Sequence, residues 1–409
     1  MQRPGLVKTL EALYRVKMQA WNLLISSFLV LNSSVVHANK VVISSCDKIP
    51  SGYNGKIFRI KTDYPTGISD KERPWKHISF KEEPQKYAYT ILKYIYNGNI
   101  NCDFDLRCNK VANWYHAPWM HYGITGREFV NGLTRERTFK SGELHSNQKS
   151  MLQNWAISIV NERGAYTYGR VWQDINNPDI TKGKFLDGTV SAKLVFTEAT
   201  QNDIPTLKNS ISWTSYINQS EKGTPKVFKQ LRLFQIDFLV KDKRSEETGW
   251  VAGTFIYDCT INNKNPWLNM KLMGIAWGND TNYFTADYII GKRLLECWIN
   301  PDVVKNSLGY LGRLNGPIDN KKSSCLSCHS TAQHPEKPSS VPPEHAKEQE
   351  IKHWFRNLKE ESFDDGAFNF DYSKQLSHGV RNYYSAKKEN DPIGCKAFNY
   401  KDIAQALIG

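Results

Sequence analysis

The chain has 409 residues and a mass of 47.0 kDa, with 40% hydrophobic, 12% aromatic and 23% charged residues. That composition excludes disordered and fibrous classes and suffices for one large domain or two to three ordinary ones. Lys plus Arg number 54 against 41 Asp plus Glu, a net charge of +13, so an acidic partner or an anionic surface suits the chain better than a basic one.

Arg3, Lys8, Arg15 and Lys17 precede an uncharged run from Leu23 to Leu31, and Val36-His37-Ala38 offers a small-residue cleavage site before Asn39. The pattern predicts a secretory signal peptide over 1–38 and export to the periplasm. A transmembrane anchor is the alternative, but the run is about half of the roughly 20 residues a bilayer requires, and no later segment comes close. Ile43-Ser44-Ser45-Cys46 faintly matches a lipoprotein acylation site, although Lys40 separates it from the apolar run.

Residues 39–150 read as a mixed N-terminal extension. Tyr87, Ala88, Ile91, Leu92 and Ile95 recur at helical spacing, and Asn97-Gly98 ends that helix. Residues 99–145 are loop-like and aromatic, centred on Trp114-Tyr115-His116-Ala117-Pro118-Trp119-Met120-His121. Met151, Leu152, Trp155, Ala156, Ile159 and Val160 predict a second helix, ended by Gly164. The period then changes from 3.6 to 2, and 166–172, 185–196, 231–240 and 250–257 read as strands. After Asp258 comes an irregular stretch carrying Gly274 to Asp280, then a predicted helix over 287–299 stopped by Asn300-Pro301. A proline-rich linker, 335–343, leads to predicted helices near 345–358, 372–384 and 401–407. The expectation is an α+β protein: an antiparallel β-sheet core with added helices, a β-rich region at 151–330 and a helical C-terminal segment at 331–409. No internal repeat, phosphate-binding glycine loop or nucleic-acid module is present in the sequence.

One motif carries chemistry. Cys325-Leu326-Ser327-Cys328-His329 has the spacing of c-type haem attachment. Two thiols three apart can each add across one haem vinyl group, and a histidine after the second reaches the iron as proximal ligand. In a chain of this composition the pattern is expected by chance on the order of 0.004 times. A redox dithiol would open a helix after a strand in a βαβ unit, and a zinc site would need a second ligand pair; the sequence supplies neither. The motif therefore predicts one covalent haem c on Cys325 and Cys328, with His329 as proximal iron ligand. Attachment of that kind occurs in the periplasm, in agreement with the signal peptide. The remaining cysteines, Cys46, Cys102, Cys108, Cys259, Cys297 and Cys395, are even in number in an oxidising compartment. Cys102 and Cys108 could close a small loop; the connectivity of the others is open.

No methionine follows His329, because the six are Met1, Met18, Met120, Met151, Met270 and Met273. The downstream methionine that closes small cytochromes c is therefore missing, which predicts an open or weakly held sixth iron position. Distal candidates are Met120, Met270, Met273, His116, His121, His334, His345, His353 and His378, each of which also reads as an ordinary core or surface residue.

Phe185-Leu186-Asp187-Gly188-Thr189-Val190-Ser191-Ala192-Lys193 resembles a strand motif of the hydroxylamine-oxidising cytochromes P-460, which share a β-sheet fold with the gas-binding beta-type cytochromes c-prime. Phe238-Leu239-Val240-Lys241-Asp242 and Thr248-Gly249-Trp250 resemble the segments that follow, and in both cases one haem motif lies C-terminal to the strands. The resemblance covers about 150–330. It implies that fold for the core, and it places Lys193 at the lysine that enzymatic members join to the porphyrin edge; a solvated strand lysine is the plainer reading. The extra length at 39–150 and after His329, and the separation of 132 between Lys193 and Cys325, depart from the compact family. The whole chain is also similar to large bacterial mono-haem cytochrome c family proteins. The expected function is a redox, electron-transfer role with an acidic partner. The alternative is an oxidoreductase or gas-binding protein whose open iron takes a small nitrogen species or peroxide.

Overall fold

The computed structural model describes residues 45–69, 73–120, 126–218, 225–303, 307–337 and 339–391. The expected signal peptide at 1–38, His121, Cys395 and the helix expected at 401–407 lie outside the described residues. The architecture is α+β, a large antiparallel sheet with a few helices on its faces.

The sheet has nine strands: β1 (Trp114–Tyr115), β2 (Thr134–Phe139), β3 (Leu152–Asn161), β4 (Val190–Thr197), β5 (Ser212–Asn218), β6 (Lys226–Lys241), β7 (Trp250–Tyr257), β8 (Met270–Ala276) and β9 (Cys297–Ile299). Its order is β1-β3-β4-β6-β7-β8-β9, with β2 also paired to β3 and β5 to β6. A small second sheet pairs β10 (Gln333–His334) with β11 (Phe368–Asn369). The helices are α1 (Pro84–Tyr96), α2 (Glu162–Val171), α3 (Thr285–Ile289), α4 (Cys325–Ser330), α5 (Glu348–Ile351) and α6 (Lys374–Lys388).

Directly opposed residues in an antiparallel ladder share a face, so the register sorts the sheet into two sides. Ile159, Ala192, Phe238, Gly253 and Ile275 lie in one cross-strand row. With Tyr87, Ile91 and Ile95 of α1 they belong to the larger hydrophobic cluster. Gly253 is required there, since a Cβ would sit 2.1 Å from the Phe238 ring. Val160, Ser191, Leu239, Ala252 and Ala276 form a row on the opposite side. That side carries the second cluster, in which Leu326 of α4, Leu376 and Val380 of α6, and Ala165 and Tyr168 of α2 pack on the sheet.

Several predicted elements change type. The helix read at 151–160 is strand β3, buried at every position. Packed on both faces, β3 buries Gln153, Asn154, Ser158 and Asn161 along with its apolar residues, so no alternation of period 2 marks it as a strand. The strand read at 166–172 is helix α2. Asn161 ends β3 and caps α2, its side chain accepting the Gly164 N–H at 3.2 Å, and Ala165, Tyr168 and Val171 then face the core at helical spacing. The helix read at 287–299 shortens to the five-residue α3 and is followed by β9, and the stretch read as irregular around Gly274 is β8. Helix α1, strand β7 and the start of α6 lie where the sequence places them. No helix among the described residues is long and apolar enough to cross a membrane.

Candidate functional site

Helix α4 is built by its own sequence. Ser324 accepts the Ser327 N–H at 3.0 Å while the Ser327 hydroxyl accepts the Ser324 N–H at 2.8 Å, a reciprocal cap on the first turn. Leu326 buries completely in the second cluster. Cys325, Cys328 and His329 therefore fall at i, i+3 and i+4, on the neighbouring side of the same short helix. The two thiols are not joined to each other.

The loop before α4 is fixed by Cys325 N–H donating to the Leu314 carbonyl at 3.0 Å and Tyr310 N–H to that of Ser323 at 3.0 Å. Gly316 lets this loop close on the sheet, because a Cβ there would lie 2.0 Å from the Gln235 amide. On the other side, Asp371 accepts from Trp250 Nε1 at 2.9 Å and from Phe185 N–H at 3.0 Å, and it pairs with Lys241 at 2.5 Å. These bonds place the next carbonyl, that of Tyr372, at 2.8 Å from His329 Nδ1. A carbonyl can only accept, so Nδ1 carries the proton and Nε2 keeps its lone pair. Burial pushes the His329 pKa down to about 4, and the positive charges of Lys193 and Lys374 act the same way. His329 is thus a neutral imidazole with an oriented, free Nε2, the form in which histidine binds a metal.

The sheet meets this helix with a polar row. Ser158, Lys193, Asp237, Thr254 and Gly274 are in cross-strand register over five strands. Lys193 Nζ lies 3.5 Å from Glu136 and 4.0 Å from Asp319. Burial opposes its charge, but Glu136, Asp319 and Asp237 outweigh burial and hold the ammonium well above the ordinary lysine range. Asp237 is pushed up to about 7 by burial and by Asp319, against the pull of Lys193. Thr254 donates to Asp237 at 2.9 Å, and its hydroxyl is 3.8 Å from Cys325 Sγ. Gln235 donates to Asp237 at 2.8 Å and to Asp319 at 3.2 Å.

Burial and the carboxylates Asp319 and Asp237 raise the Cys325 thiol well above its ordinary range, and burial raises that of Cys328. A redox dithiol needs the opposite field, one that favours thiolate. Among the described residues no group of three or more His, Cys, Asp or Glu side chains converges as metal ligands. The donor set itself, on one short helix two protonated thiols and a neutral imidazole with Nδ1 held by a carbonyl, is chemically compatible with a covalently attached haem.

Lys193 lies in the polar row whose Thr254 meets Cys325, and the field of Cys328 reaches its ammonium. The distal candidates are mostly engaged elsewhere. His116 is buried, its Nδ1 accepting the Lys61 N–H at 3.0 Å. Met270 packs in the cluster on the opposite face of the sheet. His378 bonds Glu336 at 2.8 Å, His334 packs on Tyr384, His353 on Phe363, and His345 is exposed. Met120 and Met273 pack in the cluster on the motif's side. Glu136, Asp237, Thr254, Asp319 and Tyr372 were not singled out by the sequence; Gln235 and Asp237 inside the otherwise apolar stretch 233–240 were the available signal. Cys102 and Cys108 are joined as a disulfide. Two cavities of about 480 and 470 Å³, the first beside Tyr96 and the second beside Arg232, are lined by none of the motif residues. No family model, curated protein or solved structure matches the chain.

Proposed function

We propose that the chain is an exported c-type mono-haem protein with a redox, electron-transfer role, its haem attached to Cys325 and Cys328 and ligated by His329. The observation that carries this reading is the neutral His329, with Nδ1 bonded to the Tyr372 carbonyl and Nε2 left free, on one short helix with two unlinked thiols, Cys328 beside it and Cys325 one turn away. The haem supplies a one-electron couple when bound. The chain's part is to fix the imidazole through Asp371 and Tyr372, to present the two cysteines on one helix for attachment, and to exclude bulk water with the cluster around Leu326. The basic net charge suits steering of an acidic partner, and the N-terminal pattern suits export.

The likeness to the P-460 and beta-type c-prime proteins is part of the proposal, supported by Lys193 lying in the polar row that meets Cys325 through Thr254. The second reading, an oxidoreductase or gas-binding protein acting on a small nitrogen species or peroxide, is favoured by one observation. Lys193 and Asp237 bring an ammonium and a carboxyl with a pKa near neutrality together as a cross-strand pair beside α4, an arrangement suited to proton transfer. Visible spectra of the oxidised, reduced and carbon monoxide-treated protein test both. A haem c spectrum supports the first statement and its absence refutes it; carbon monoxide binding to the reduced form favours the open-iron reading, and a low-spin form untouched by it favours electron transfer.

A further inference from the structure

Between β8 and β9 the chain makes an excursion whose stem is tightly built. Asp280 accepts from the N–H groups of Leu295 at 2.5 Å and Glu296 at 3.2 Å, and the Trp277 N–H donates to the Glu296 carbonyl at 2.9 Å. The buried Arg313 guanidinium donates to the carbonyls of Asp280 at 2.9 Å and Tyr283 at 2.6 Å, and the Tyr283 hydroxyl donates to that of Lys292 at 3.0 Å. On this rigid stem the tip exposes what a soluble surface normally hides. Ile289, Ile290 and Leu295 are 76%, 77% and 75% exposed and Tyr288 is 45% exposed. Lys292 and Arg293, also exposed, lie between them.

Four large apolar side chains within eight residues are a patch, not scattered surface residues. With three-quarters of their surface free, the three aliphatics stand clear of the protein instead of lining a groove. A protein partner would have to supply a matching pocket for each of them. The acyl boundary of a bilayer accepts them without shape complementarity, and the two cations between them fall at the level of anionic headgroups. The tip also adjoins the segment leading into α4, since Tyr288 lies 3.7 Å from where a Gly312 Cβ would stand.

We propose that residues 288–295 dock the protein peripherally on an anionic lipid surface, Ile289, Ile290 and Leu295 entering the acyl boundary and Lys292 and Arg293 meeting the phosphates. The test is co-sedimentation of the full purified protein with vesicles of phosphatidylethanolamine and phosphatidylglycerol, and with phosphatidylcholine vesicles. Binding is expected to the anionic vesicles and to weaken with salt. Ile289→Ser with Ile290→Ser and Leu295→Ser should reduce it by at least roughly tenfold. Lys292→Gln and Arg293→Gln should each reduce it by about fivefold, with far-UV circular dichroism and melting unchanged. The charge variants serve as the second readout if the apolar triple variant does not fold. Absence of vesicle binding would overturn the proposal, as would equal binding by the variants. Self-association abolished by the apolar variants without lipid would also overturn it and assign the tip to contact between copies.

Discussion

Asp237→Asn perturbs the centre of the polar row while keeping its shape. Displacement of the Asp237 pKa from 3.8 to about 7, at about 1.4 kcal/mol per pH unit, corresponds to roughly 4 kcal/mol between the two protonation states. Asp237 keeps some accessible surface, so about 2 kcal/mol is the working figure after solvent screening. The folded protein binds this proton more tightly than the unfolded chain does. The carboxyl is therefore harmless below about pH 4 and costs stability progressively as pH rises toward 7. Asparagine removes that cost. It loses one acceptor, because Gln235 Nε2 bonds both carboxylate oxygens, at 2.9 and 2.8 Å, a loss of about 1 kcal/mol. The variant should be less stable than the parent by about 1 kcal/mol at about pH 3 and more stable by about 1 kcal/mol at about pH 8. Urea unfolding followed by circular dichroism at the two pH values measures this. Equal differences at both, or a larger destabilisation at pH 8, would refute the assignment of Asp237 as a carboxyl held partly protonated by burial and Asp319.

Asn161→Ala should destabilise by about 3 kcal/mol in the same assay, since it leaves the N–H groups of Gly164 and Val190 and the Gly188 carbonyl without their 3.2, 3.0 and 3.0 Å partners; a loss below about 1 kcal/mol would contradict the role of this side chain as the hinge between β3 and α2. Asp371→Ala strands Lys241 and the Trp250 indole and should cost about 3 kcal/mol or more. It should also change the iron spin state through the Tyr372 carbonyl, a spectroscopic effect that Asn161→Ala should not share. His329→Ala should leave attachment to the thiols chemically permitted but remove proximal ligation, read as loss of the parent visible spectrum.

How much of this was legible in the sequence depended on whether local pattern and burial agreed. Helix α1 could be read because one face alone is apolar, and β7 because its residues favour strands and turns bound it. Strand β3 could not, because burial on both faces erases the period that separates strand from helix. The reading of α2 failed because Tyr166, Tyr168 and Trp172 carry strand propensity, while the deciding contact, the Asn161 cap, depends on where β3 ends. At the site, Cys325, Cys328 and His329 could be singled out because their spacing matches the c-type haem attachment pattern. Glu136, Asp237 and Asp319 were not, since their meeting at Lys193 is a product of strand register and of the loop that Gly316 allows to close.

Covalent haem is the central claim, and intact mass after denaturing acid-acetone extraction tests it most directly. The account predicts that colour stays with the polypeptide, that the mass exceeds that of the processed chain by one haem, and that Cys325→Ala with Cys328→Ala abolishes both. Extraction of all colour, leaving a polypeptide of unmodified mass with two free thiols at Cys325 and Cys328, would contradict it.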